Sequence, residues 1–143
     1  MSSEIDAAAY AADTASLSGR IATRVQYVLA GAYFLAVAVA LGRAAQLAGR
    51  LYLPHQGDEA TGTADIWPGV LAAVWLAITF VLSIAPILAG LTALYAIVLL
   101  ASARLRADRR RWRSLAASTV LSALAFAASL TPQARTLLVW LLD

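Results

Sequence analysis

Apolar positions in this chain run together instead of alternating. Three uncharged windows, Val25 to Gly42 (18 residues), Ile66 to Ala103 (38 residues) and Ser114 to Ala134 (21 residues), are separated by short stretches that carry the charges. A hydrocarbon core about 30 Å thick takes roughly 20 helical residues at about 1.5 Å each, so the first and third windows each have the length of one crossing. The middle window is twice that length. As one helix it would extend about 57 Å, more than a tilt of about 20° absorbs. Two crossings joined by a tight turn fit it better, and Pro86 stands near its midpoint with Gly90 one turn beyond, where proline removes a backbone donor and crowds the preceding turn. The expected fold is an all-α integral membrane protein, a small polytopic helical bundle with four transmembrane helices, Trp67 to Ala85 and Ile87 to Ala103 forming the middle pair. The alternative is three, with a long helix kinked at Pro86, because neighbouring groups in a membrane re-satisfy the carbonyl that a proline frees.

Composition agrees with lipid as the main solvent. Hydrophobic residues make up 62% of the 143 and charged residues 13%, against roughly 45 to 50% and about 25% in soluble domains; mean hydropathy is +0.75. This excludes a disordered tail and a soluble enzyme of ordinary surface. The absence of cysteine excludes a disulfide scaffold, thiolate chemistry, Cys-ligated zinc and Fe–S clusters. All 11 basic residues are arginine, a bias that reads as a GC-rich bacterial coding sequence and points to a multi-pass protein of the bacterial cytoplasmic (inner) membrane.

Arginine also orients the chain. Arg104, Arg106, Arg109, Arg110, Arg111 and Arg113 place six positive charges in ten residues against Asp108 alone, so the 104–113 loop is expected to be cytoplasmic. The other arginines leave the N-terminus open. Arg43 and Arg50 join the six if there are four crossings, and Arg20 and Arg24 join them if there are three. Asp58, Glu59 and Asp65 make the 43–66 loop look outward-facing, which favours three, whereas window length favours four. Residues 1–24 read as a polar tail with a short helix, started by Ser2 and Ser3 ahead of Glu4 and Asp6 and broken at Ser16-Leu-Ser-Gly19. Residues 25–143 read as a single transmembrane domain. The run ending in Ala38-Val39-Ala40 has the outline of a secretory signal, but the acidic tail before it is long for an n-region, so it is read as a retained anchor.

Little here supports catalysis. No Asp, Glu, Lys, Arg or His falls in the three windows, which argues against a proton-carrying rotor, a carboxylate-driven transporter or a voltage sensor. Without histidine there, imidazole ligation of a haem is not expected from this chain. His55, with Asp58 and Glu59 beyond it, matches no standard metal spacing and reads as a solvated loop residue. No Ser/His/acid set can be assembled. The expectation is a non-enzyme without cofactors.

Contact chemistry is better represented. The six loop arginines read as topology determinants whose guanidiniums meet anionic lipid headgroups, each worth about 1 kcal/mol, or an acidic partner. Nucleic acid is not expected, since Trp112 is the one aromatic among them. Trp67, Trp112 and Trp140 read as an aromatic belt, with Trp75 deeper and packed against a neighbour. Ala32, Ala36 and Ala40 recur every fourth residue in the first window, and Ser118, Ser122 and Ser129 share a side of the third. Small residues of this kind let membrane helices approach closely. The expected function is a non-catalytic accessory or structural subunit of a larger bacterial membrane protein complex, with membrane lipids and other integral membrane subunits as partners. The alternatives are a homo-oligomeric pore or holin-like channel that uses the hydroxyl stripe, and a small transport subunit.

Overall fold

The computed structural model describes residues 2–55 and 67–142, with side chains at Thr14 and from Leu17 onward, Arg104 excepted. Its elements are all helices: α1 (Ser2–Ala48), α2 (Leu71–Leu100), α3 (Ala103–Ala107), α4 (Arg109–Ser129) and α5 (Pro132–Leu142).

α1 is one helix of 47 residues, about 70 Å long at about 1.5 Å per residue. The break expected at Ser16-Leu-Ser-Gly19 is not there. Ser18 Oγ donates to Thr14 O at 2.9 Å and, one turn on, Thr23 Oγ1 to Gly19 O at 2.9 Å, so the Ser18 hydroxyl is satisfied inside the helix without a break. Gly19 has a packing role instead, because a Cβ there would sit 3.5 Å from Leu105 Cδ1. The helix ends at Gly49, whose φ of +66° is the left-handed conformation that closes many helices.

α2 corrects the four-helix expectation. It runs without interruption from Leu71 to Leu100, with Pro86 inside it, so there is no reversal at Pro86 and no antiparallel pair within the middle window. The window's first residues are spent on a turn instead: Trp67 and Pro68 precede Gly69 at φ +61°, and Leu71 N donates to Pro68 O at 3.2 Å. The remaining 30 residues make about 45 Å of helix, the thickness of a bilayer with its headgroups. Counting every uncharged residue as helix had overstated the length. Pro86 is buried on the packed side of α2.

α4 begins at Arg109, five residues ahead of the uncharged window, because Asp108 caps it: its carboxylate accepts from Arg111 N at 3.2 Å and pairs with Arg111 Nε at 3.0 Å. After Ser129 the chain turns, and α5 leaves at 67° to α4, with Pro132 at its first helical position. α5 packs against the bundle and buries Leu137, Trp140 and Leu141. Two spans, Leu17–Ala48 and Leu71–Leu100, are long and apolar enough to cross a membrane, and the number is three if the bent pair of α4 and α5 counts as one span.

The bundle is inverted relative to a water-soluble one. α1 buries Ala22, Gln26, Ala30, Tyr33, Ala36, Ala40 and Ala44; α2 buries Ala85, Ala89, Ala93 and Ala96 beside Ile78 and Leu82; α4 buries Leu115, Ser118, Thr119, Ser122 and Ala125. The large apolar side chains point outward, with Val28 68%, Leu35 66%, Phe80 63% and Val98 70% exposed. Such a surface is costly in water and free of cost in hydrocarbon, where close backbone approach is what holds helices together.

The two ends differ. At one, Ala22, Ala96 and Leu115 pack with Leu99, Leu100 and Leu105, which places the start of the α1 span, the α2 C-terminus and the α4 N-terminus together. Arg20 and Arg24 therefore share that end with the 104–113 arginines. At the other, Trp67 and Trp140 are buried in the main core and Arg43 lies 5.9 Å over the Trp67 ring. Those two tryptophans are interior residues at 4% and 3% exposure, not side chains of an outward aromatic belt. Trp112 is partly exposed at the arginine end, and Trp75 packs inward as expected, its Nε1 donating to Leu141 O at 2.7 Å and tying α5 to α2.

Candidate functional site

The most organised chemistry in the bundle is a neutral polar cluster within about one turn of the arginine end. Gln26 of α1 is fully buried. Its Nε2 donates to Thr92 O of α2 at 3.2 Å, and its Oε1 accepts from Ser118 Oγ of α4 at 2.7 Å. One side chain therefore bonds both other spanning helices. The reverse orientation of the amide would set Oε1 against the Thr92 carbonyl, two acceptors facing each other, so the neighbours determine which way it points.

Proton supply decides the remaining bonds. Ser118 Oγ lies 2.7 Å from Gln26 Oε1 and 3.0 Å from Leu115 O, and Thr119 Oγ1 lies 2.7 Å from Leu115 O and 3.4 Å from Gln26 Oε1. Each hydroxyl has one proton to give. Assigning Ser118 to Gln26 and Thr119 to Leu115 uses both short contacts and leaves no acceptor in competition. Thr92 is held from its own side, with Oγ1 donating to Leu88 O at 2.8 Å. The cluster fixes the mutual rotation of α1, α2 and α4. Amides and hydroxyls are uncharged at neutral pH, so the cluster holds no formal charge.

The serines singled out from the sequence separate here. Ser118 and Ser122 are fully buried against protein. Ser122 Oγ has no hydrogen-bond partner, unlike Ser118. Ser129 is half-buried, with its hydroxyl turned back on Phe126 O at 2.7 Å. Ala36 and Ala40 are buried, but Ala32 is half-buried and lines a groove of about 460 Å³ between α1 and α2 with Leu35, Val39, Ala73 and Ala77. The buried stripe of α1 advances in steps of three and four because a helix turns in about 3.6 residues, and a strict spacing of four drifts off the face.

The arginines gather at one end without forming one site. Arg109, Arg110 and Arg113 are exposed, Arg106 Nη2 donates to Ala101 O at 2.7 Å, and Arg111 pairs with Asp108; the Arg104 side chain lies outside the described residues. Arg106, Arg109 and Arg113 surround Trp112 at one cavity. A second cavity, of about 270 Å³, brings Arg20 and Arg24 of α1 to Arg111 and Ser114 of α4. His55 is exposed, while Asp58 and Glu59 lie outside the described residues. Among the described residues no three His, Asp or Glu side chains converge.

Gln26 and Thr119 escaped the sequence reading, which searched the windows for ionisable groups. The signal was present in the spacing of Ala22, Gln26 and Ala30, a lone amide flanked at four residues by small side chains. Comparison with protein families, with curated proteins and with solved structures finds no match for this chain.

Proposed function

We propose that the chain is a non-catalytic structural or accessory subunit of a larger bacterial membrane protein complex, crossing the cytoplasmic membrane three times with its arginine end in the cytoplasm. The observation that carries this reading is the neutral polar cluster that ties the helices together: Gln26 of α1 bonds the Thr92 carbonyl of α2 and the Ser118 hydroxyl of α4, a structural use of the polar groups in the bundle centre. The groove walled by Ala32, Ala36, Ala73 and Ala77 supplies a face of small side chains that a neighbouring membrane helix could approach. Eight of the eleven arginines fall at the end assigned to the cytoplasm, as the positive-inside bias requires.

A tagged chain extracted from its native membrane in mild detergent is expected to bring other integral membrane proteins with it in constant ratio. Migration alone, or only with copies of itself, overturns the reading, and conductance of the pure chain in a planar bilayer would put a pore in its place. Orientation has its own test, made simple by the absence of cysteine. Ser2→Cys and Ala107→Cys are expected to react with an impermeant thiol reagent from the cytoplasmic side only, His55→Cys from the opposite side only, and Ile87→Cys from neither. Reaction at Ile87→Cys from outside would restore the hairpin that α2 contradicts.

A further inference from the structure

We infer that the cavity between α1 and α4 at the arginine end is a binding site for the phosphate of an anionic phospholipid headgroup. Arg20 and Arg24 stand one turn apart on α1 and line, with Arg111 of α4, a cavity of about 270 Å³. Among the described residues neither Arg20 nor Arg24 has a carboxylate partner. Arg111 shares its charge with Asp108 at 3.0 Å, so three arginines line one cavity and one of them is paired with a carboxylate. Such a concentration of positive charge favours an anion, and planar guanidinium donors suit phosphate oxygens. Ser114 adds a hydroxyl at the rim.

The surroundings select a lipid over a free anion. Leu105 and the buried Leu115 line the same cavity, and one step around α1 from the two arginines the side chains of Leu17, Ile21, Val25 and Val28 are outward-facing and apolar. A headgroup seated among the arginines would lay its acyl chains along that strip, so charge and hydrophobic burial act on one molecule. Basic pockets between membrane helices at the cytoplasmic surface hold anionic headgroups in this way. The site rests on the chain lying in a bilayer and is independent of whether it has protein partners.

The full chain, purified and delipidated in a neutral detergent, is titrated with phosphatidylglycerol, with phosphatidylcholine and with inorganic phosphate, while bound lipid is counted by native mass spectrometry and stability by thermal melting. Retention of phosphatidylglycerol with a raised melting temperature, and no such effect of phosphatidylcholine, is expected. The Arg20→Gln/Arg24→Gln variant is expected to bind phosphatidylglycerol about thirty-fold more weakly, from about 1 kcal/mol for each arginine at the surface. Arg20→Lys/Arg24→Lys, which keeps the charge, is expected to recover part of the loss and guards against a folding defect as the cause. Arg109→Gln/Arg113→Gln is expected to change binding far less. Equal loss in the two glutamine pairs means diffuse attraction to the arginine end and overturns the site. Stabilisation by inorganic phosphate as large as that by phosphatidylglycerol overturns the assignment to a lipid.

Discussion

Replacing Gln26 by alanine is expected to destabilise the bundle by about 3 kcal/mol. Two interhelical hydrogen bonds disappear, each worth about 0.6 kcal/mol on average and up to about 1.7 in membrane bundles, and the removed amide leaves a cavity that adds about 1 to 2 kcal/mol. The comparison that identifies the mechanism is Gln26→Leu. Leucine refills most of the volume, Ser118 can turn its proton to Leu115 O, already 3.0 Å away, and the Thr92 carbonyl retains its place in the α2 ladder. That variant is expected to lose about 1 kcal/mol or less. Both are read from denaturant unfolding of the purified chain in detergent micelles. If the leucine variant is as damaged as the alanine variant, the cluster matters for its hydrogen bonds and not for its packing. If neither is damaged, Gln26 does not join the helices.

Ser122 carries the second large effect, with opposite signs for two substitutions. Leucine there is expected to cost about 2 to 3 kcal/mol, since the side chain is fully buried and overpacking a tight helix contact forces the backbones apart. Alanine is expected to be neutral or slightly stabilising, because the Ser122 hydroxyl is buried without a partner and its removal relieves an unsatisfied donor. Val120, 59% exposed, supplies the control: Val120→Leu should leave the melting temperature unchanged. A tolerant Ser122→Leu would mean that α4 is rotated from the position described.

How far these features could be read from the chain depended on which physical term governed each. Hydrocarbon thickness and uncharged runs located the apolar segments well, since that constraint is local and strong. The same reasoning misjudged the middle window, where Pro68 and Gly69 consumed residues that had been counted as helix, and where Pro86 sits inside α2 without ending it. Propensity disfavours a mid-helix proline by about 3 kcal/mol in water, but a helix in lipid has no favourable irregular state to escape to. Ser16 to Gly19 misled for a different reason: the Ser18 hydroxyl is satisfied by the Thr14 carbonyl inside the helix, and Gly19 gives room to Leu105. Of the serines at helical spacing, Ser118 and Ser122 are fully buried and Ser129 is half-buried, since small residues let membrane helices approach closely only where a neighbour lies against them. Gln26 was not legible, because a search for charge passes over an amide.

The Gln26 cluster also bears on the order in which the chain becomes structured. α1 leaves the ribosome first and would enter lipid with its amide unmatched. Insertion of α2 offers the Thr92 carbonyl to Nε2, yet Oε1 still waits for the Ser118 hydroxyl, 92 positions later in the chain. A polar group stranded in hydrocarbon is costly. The bonds of Gln26 are therefore complete only when all three helices are in place.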